Sequence, residues 1–181
     1  MAEDTQKAQD YTRFLRSLRA VRQFHSEPIP QLVINDLLEV ARWSGSASNR
    51  QPWEFVVVQN RETLQALSKV EGYAGHLANA PLGIILVMAG EPGRGEAESY
   101  DEGRLSERIM LAAEAHSIGS SVGWFVGSGA TEAKRILGIP QHHLVRTALS
   151  LGYPDEEAQR ARPKPPQARK PLSELVHIER Y

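Results

Sequence analysis

The sequence predicts one domain of mixed α and β class, built around a central sheet. Apolar runs of strand length recur along the chain, and stretches of helical period lie between them. No internal repeat or second compositional zone interrupts that alternation. The 181 residues suffice for one sizeable core, and 41% hydrophobic with 24% charged residues is ordinary for a globular protein.

Taken in order, residues 8–23 predict a helix, because Tyr11, Leu15 and Leu18 recur at spacings of three to four. Ser26 to Pro30 breaks it. A clearer helix follows over 31–43, with Ile34, Leu37, Leu38 and Ala41 on one face, Pro30 suited to its first turn and Gly45 as its stop. Residues 54–59 read as a buried strand through Phe55, Val56, Val57 and Val58. Asn60 is placed to cap a short helix over 61–70. Residues 82–89, rich in Ile, Leu and Val, predict a second buried strand. Residues 91–103 hold three glycines, a proline and several acids, which predicts a loop that acts as a lid. A helix over 105–117 follows, its packing face formed by Leu105, Ile109, Ala112, Ala113 and His116. Residues 120–126 and 144–151 predict two more strands, with a helix over 131–137 ended by Gly138 and Pro140 between them. Residues 154–171 contain five prolines and five Lys or Arg, which predicts an extended course. The apolar Leu175, Val176 and Ile178 then give the last residues something to dock, on their own domain or on a partner.

Composition narrows the function. Lys plus Arg number 21 against 22 for Asp plus Glu, a balance unlike that of a dedicated nucleic-acid binder. The chain has no cysteine, which excludes disulfides, thiolate metal sites and cysteine nucleophiles. The first ten residues are polar and acidic, unlike a secretory signal, and the longest apolar run falls far short of the roughly 20 residues that span a bilayer. A cytoplasmic protein is expected. His142 and His143 adjoin and would point apart in a strand, so no metal pair is expected.

Four segments can carry chemistry. In RAVRQF (19–24), Arg19 and Arg22 are permanent cations with planar donor forks suited to phosphate, and at i and i+3 they can reach one side of a helix or turn. Paired arginines also occur as solvated surface residues. In SASNRQPW (46–53), Ser46, Ser48, Asn49 and Gln51 lie between an amphipathic helix and a buried strand. Amide side chains there match a ring edge that alternates N–H and C=O, although the same residues also suit a plain turn. Residues 119–129, GSSVGWFVGSG, let backbone approach a ligand closely but contain no dinucleotide or phosphate-loop fingerprint. Ala168 to Leu172 adds Arg169 and Lys170 after the proline-rich stretch.

Together these segments resemble the nitroreductase family of FMN-dependent oxidoreductases. The resemblance runs from about Leu15 to Ile178. It rests on the joint order of the basic motif, the S-x-x-N-x-Q-P-W segment, the strand after it, the late G-I-P, the L-G-Y-P and the terminal R-K-P-L-S-E-L-V-H. It implies an α+β sandwich whose mixed, mainly antiparallel sheet is flanked by helices. It also implies an intertwined homodimer with two FMN sites at the dimer interface, each built from both subunits, residues 154–181 serving as an arm. Carried onto this chain, Arg19 and Arg22 match the family's phosphate and ring contacts, with Ala20 between them. Gly45, Ser46 and Asn49 match the segment that reaches the flavin, with Ser46 supplied by the neighbouring subunit. Trp124, Phe125, Val126 and Gly127 match the stretch whose backbone faces the ring, and Arg169 matches the C-terminal cation at the phosphate. Leu18-Arg19-Ala20 stands where the family often has Arg-Arg-Ser, so one cation and one hydroxyl are missing. Ser44-Gly45-Ser46 replaces a common Ala-Pro-Ser.

The implied activity is a ping-pong hydride transfer from NADH or NADPH, through flavin N5, to an electron-poor acceptor such as a nitroaromatic or a quinone. The implied partners are a small-molecule substrate and a second copy of the chain, with no nucleic acid and no membrane. The alternatives are a non-catalytic FMN carrier or sensor, oxygen-dependent breakdown of the flavin, and reduction of one specific metabolite. No catalytic acid is assigned; water, Tyr100 and His116 are the candidate proton donors, and a histidine on an alanine-rich helix face is usually structural.

Overall fold

The computed structural model describes residues 2–163 and 169–181. Ten regular elements alternate along it: α1 (Ala2–Ser17), α2 (Gln31–Arg42), β1 (Trp53–Val58), α3 (Arg61–Ser68), β2 (Leu82–Met88), α4 (Gly95–Ala115), β3 (Gly119–Trp124), α5 (Ser128–Leu137), β4 (Leu144–Gly152) and α6 (Glu156–Arg160). The four strands form one sheet in the order β1-β2-β4-β3, and every neighbouring pair is antiparallel. Helices cover both faces, which is the expected α+β sandwich.

The period-2 geometry of β2 divides the core. Leu82, Ile84 and Leu86 face α2 and α4, where Ile34, Leu37, Leu105 and Ile109 complete one cluster. Ile85 and Val87 face α3 and α5, where Leu64, Leu67, Ala133 and Phe125 complete the other. All seven residues of β2 are buried, which explains its uninterrupted apolar run. Each large side chain buried there contributes roughly 1.5–3 kcal/mol. Asn60 caps α3 as expected, its side chain accepting from the N–H of Thr63 at 2.9 Å. Gly138 closes α5 with φ +69°, a left-handed conformation that suits glycine. Among the described residues no helix is long and apolar enough to cross a membrane.

Four expectations are corrected. The first helix ends at Ser17, not residue 23, and residues 20–24 run from the outer edge of β3 to the residues that follow β4. Ala20 pairs with Ser120 in parallel, Val21 N–H donates to the Ser120 carbonyl at 2.8 Å, and Phe24 pairs with Pro154. The unpaired edge of the sheet offers these residues backbone partners that a helix would forgo. Second, residues 95–103 are not a loop but the first part of α4. The buried stripe Glu98, Asp101, Glu102, Leu105, Ile109 has helical spacing throughout, but its first two turns are acidic, which hides the amphipathic signal. Third, the stretch after Pro154 includes the short helix α6, capped by the Asp155 carboxylate accepting from Ala158 N–H at 2.9 Å. Eight residues without proline separate Pro154 from Pro163, enough for one and a half turns. The most proline-dense part of that stretch, residues 164–168, lies outside the described residues. Fourth, His142 and His143 do not point apart. They precede β4, in a turn, and their rings stack at 4.2 Å between centroids.

Candidate flavin site, split between two segments

The extended course of residues 18–24 decides where their side chains go. Successive side chains alternate, so residues at i and i+3 lie on opposite faces. Arg19 and Arg22 therefore do not share a side, and they line different concavities. Arg19 and Ala20 line a cavity of about 620 Å³ together with Arg16, Glu107 and Arg169. Arg22 lines a second cavity, of about 530 Å³, with Tyr73, His76, Asn79 and Arg162. Part of the Arg19 guanidinium is already engaged: Nη1 donates to the carbonyls of Arg16, Ser17 and Leu18 at 2.7, 3.1 and 2.8 Å. Those are the free carbonyls at the end of α1, where a cation is favoured. No ion pair joins Arg16, Arg19, Arg22, Arg162 or Arg169 to a carboxylate among the described residues, which leaves both cavities cationic.

Gln159, on α6, was not signalled by any motif. Its amide brackets the basic segment: Nε2 donates to the Ala20 carbonyl at 3.0 Å, and Oε1 accepts from Arg22 N–H at 3.4 Å. One side chain thus stands in for a strand. His76 was missed for the same reason, as a lone histidine in a short 3₁₀ turn. Its Nδ1 sits 2.6 Å from the Ser150 hydroxyl, and its Nε2 is buried without a partner. Burial, reinforced by the nearby charges of Arg22 and Arg162, lowers its pKa to about 4, while the Val122 and Tyr73 backbone acts weakly the other way. The imidazole is neutral at physiological pH.

Residues 124–127 lie beside the second cavity. Their backbone is largely committed within the chain: the Trp124 carbonyl accepts from Tyr73, Phe125 N–H donates to Arg146, and Val126 N–H donates to Glu71 at 2.7, 2.8 and 3.0 Å. Phe125 is buried in the core, and Gly127 precedes α5. The Glu71 carboxylate accepts from both the N–H and the hydroxyl of Ser128, and these bonds lower its pKa. What this stretch leaves open is the Trp124 ring, 46% exposed and edge-on to Tyr73 at 6.1 Å.

The amide-bearing loop lies elsewhere. Its own small concavity is lined by Ala47, Arg50, Glu91, Glu98 and Asp101, with no residue from 18–24, and no residue of the loop lines the Arg19 cavity. The single chain therefore does not bring Gly45, Ser46 and Asn49 to Arg19 and Ala20. Three non-glycine residues of the loop have positive φ: Ser48 at 53°, Asn49 at 52° and Gln51 at 52°. Each such conformation costs on the order of 1 kcal/mol. The loop is braced internally by Gln51 N–H donating to Ser46 Oγ at 2.8 Å and by Asn49 N–H donating to the Ser46 carbonyl at 3.0 Å.

Of the candidate proton donors, Tyr100 is exposed on α4. His116 caps the end of that helix and bonds Asp36 of α2 at 2.7 Å, a structural tie between the two helices.

Comparison with known proteins adds a family. The sequence profile of the nitroreductase family matches residues 15–82. A protein of Archaeoglobus fulgidus, provisionally named NADH dehydrogenase/NAD(P)H nitroreductase, is 32% identical over 143 residues, covering 77% of this chain and 82% of that one. Among solved structures, a provisionally named NADH oxidase of Clostridium acetobutylicum superposes with a TM-score of 0.76 at 27% identity, covering 93% of this chain and 99% of that one. A provisionally named nitroreductase of Desulfovibrio desulfuricans, solved in complex with FMN, superposes with a TM-score of 0.76 at 21% identity, covering 94% and 96%.

Proposed function

This chain belongs to the nitroreductase family, and from that premise we propose that it is an FMN-dependent oxidoreductase drawing on NADH or NADPH. The observation that carries the reading is the meeting of Arg16, Arg19 and Arg169 on one cavity of about 620 Å³, beside the edge where Ala20 pairs with Ser120. The residues fit the cofactor: cations without carboxylate partners suit a phosphate, and buried Ser120 Oγ lacks a hydrogen-bond partner at that edge. Arg19 and Arg169 would hold the phosphate, and Arg22 would serve the ring. FMN, when bound, supplies the two-electron chemistry that passes reducing equivalents to an electron-poor acceptor such as a nitroaromatic or a quinone. The chain's part is to bind, orient and shield it. Arg22 would supply a fixed positive charge to offset the negative charge of a reduced ring.

The whole chain, residues 1–181, works as one domain, and two copies complete each site. Support for the second copy comes from the separation of Gly45–Asn49 from Arg19 and Ala20 within one chain. Further support comes from Tyr11, Leu15, Leu172, Leu175, Val176 and Ile178, apolar residues that the described residues leave exposed. The C-terminal arm then reaches the other copy, and Ser46 and Asn49 meet a ring bound by the partner. The test is an anaerobic spectrum of protein reconstituted with FMN, before and after NADH or NADPH. Loss of the flavin bands is the expected result. Retention of FMN that neither nicotinamide reduces points instead to a carrier or sensor, and failure to retain FMN overturns the assignment of Arg19, Arg22 and Arg169.

A further inference from the structure

The first two turns of α4 bury three carboxylates, and two of them, Glu98 and Asp101, receive backbone N–H groups from neighbouring loops. Glu98, 3% exposed, accepts the backbone N–H groups of Gly90 and Glu91, one on each oxygen, both at 3.0 Å. Glu91 is thereby fixed, and its own carboxylate pairs with Arg50 inside the amide-bearing loop. Asp101, 4% exposed, lies within 3.4 Å of Ala47 N–H in the same loop and 3.5 Å from Arg104. The Arg104 guanidinium in turn lies against Gly45, so close that a Cβ there would fall 2.5 Å from its Nη2. Two buried acids, one turn apart, therefore grip residues 45–51 from both ends. Between those grips, Ser48, Asn49 and Gln51 hold left-handed conformations that an untethered loop would relax. The Asn49 side chain makes no hydrogen bond among the described residues, so its amide is presented rather than used.

The geometry points to Glu98 and Asp101 as positioning residues that preform the 45–51 loop for the ring edge of a flavin held by the partner copy. The inference rests on the reading that this loop meets the flavin. Neither carboxylate touches the cofactor; they act through the Ala47 N–H, the Arg104 cover over Gly45, and the Glu91–Arg50 pair. A preformed loop loses less conformational freedom on binding, so its loss appears as weaker cofactor affinity.

The test measures FMN dissociation by quenching of flavin fluorescence, with oligomeric state and thermal midpoint read on the same samples. Asp101→Ala is expected to weaken FMN binding by about tenfold, while Asp101→Asn, which keeps an acceptor for Ala47 N–H, recovers most of the affinity. If Asp101→Ala fails to fold, Ala47→Pro removes the donor from the other side while the Asp101 carboxylate keeps its contact with Arg104 at 3.5 Å. Ser46 before it is already extended, as a residue preceding proline requires. Ala47→Pro is likewise expected to weaken FMN binding with the dimer intact. Unchanged affinity in Asp101→Ala or Ala47→Pro overturns the inference, as does an equal loss in Asp101→Ala and Asp101→Asn. Parent protein that binds no FMN at all overturns the functional reading itself, a result distinct from either.

Discussion

The basic segment at 18–24 and the amide-bearing loop at 45–51 reach their shapes by opposite means. The basic segment is held by main-chain bonds to a sheet edge: Val21 to Ser120, His25 to Tyr153, and Asp155 back to Gln23. Any sequence able to run extended could make those bonds, so apart from the buried Phe24 its side chains are free to vary. The amide-bearing loop makes no such ladder. Its conformation is set by buried side chains on α4 and by a hydroxyl of its own, Ser46. One segment is fixed by topology and the other by particular residues, so single substitutions should act on them differently.

The largest effect is expected where the basic segment meets the core. Phe24→Ala removes a buried ring at the Pro154 pairing and should cost about 3–4 kcal/mol, read as a lowered midpoint in urea. A loss under about 1 kcal/mol would show that backbone bonds alone hold the edge. Next, Glu98→Ala strands the N–H groups of Gly90 and Glu91 and should cost about 2 kcal/mol. Hydrogen exchange at those two amides should rise while exchange at Val21 stays slow; equal rises at both would erase the distinction between the segments.

pH separates them further. His76 beside the Arg22 cavity has a folded pKa of about 4, below its ordinary 6.5. As pH falls below 6.5 the unfolded chain takes up this proton first, so stability declines from pH 6.5 to about 4 and this contribution is flat below. The full shift would be worth roughly 3 kcal/mol, and discounting for a ring partly open to solvent leaves about 1–2 kcal/mol. His76→Asn should flatten the pH dependence of the thermal midpoint in that window; an unaltered slope would assign it to other groups. The smallest effect on stability belongs to Arg19→Ala, whose exposed side chain gives up only its bonds to the end of α1, under about 1 kcal/mol, while FMN retention falls. Arg22→Ala should also lower retention, and because the two arginines line different cavities the losses should add in the double variant.

Much of this was legible in the sequence. The apolar run of β2, the Asn60 cap, the Gly138 stop and the amphipathic face of α2 each announce their element through local chemistry. The order of the motifs identified the family, and with it the candidate cations at Arg19, Arg22 and Arg169. The sequence was silent where a residue's role depends on a distant neighbour. The start of α4 was hidden because its buried stripe carries Glu98, Asp101 and Glu102 in place of leucines, and a buried carboxylate is explicable only once the N–H groups it receives are in view. RAVRQF looked helical because its spacing suits a helix, and only the open edge of β3 makes the extended form better. Gln159 and His76 belong to no motif at all. Periodicity and capping are local and survive in one dimension. The partners of a buried polar group, the face an extended arginine takes, and the separation of the amide-bearing loop from the Arg19 cavity exist only after distant segments have packed.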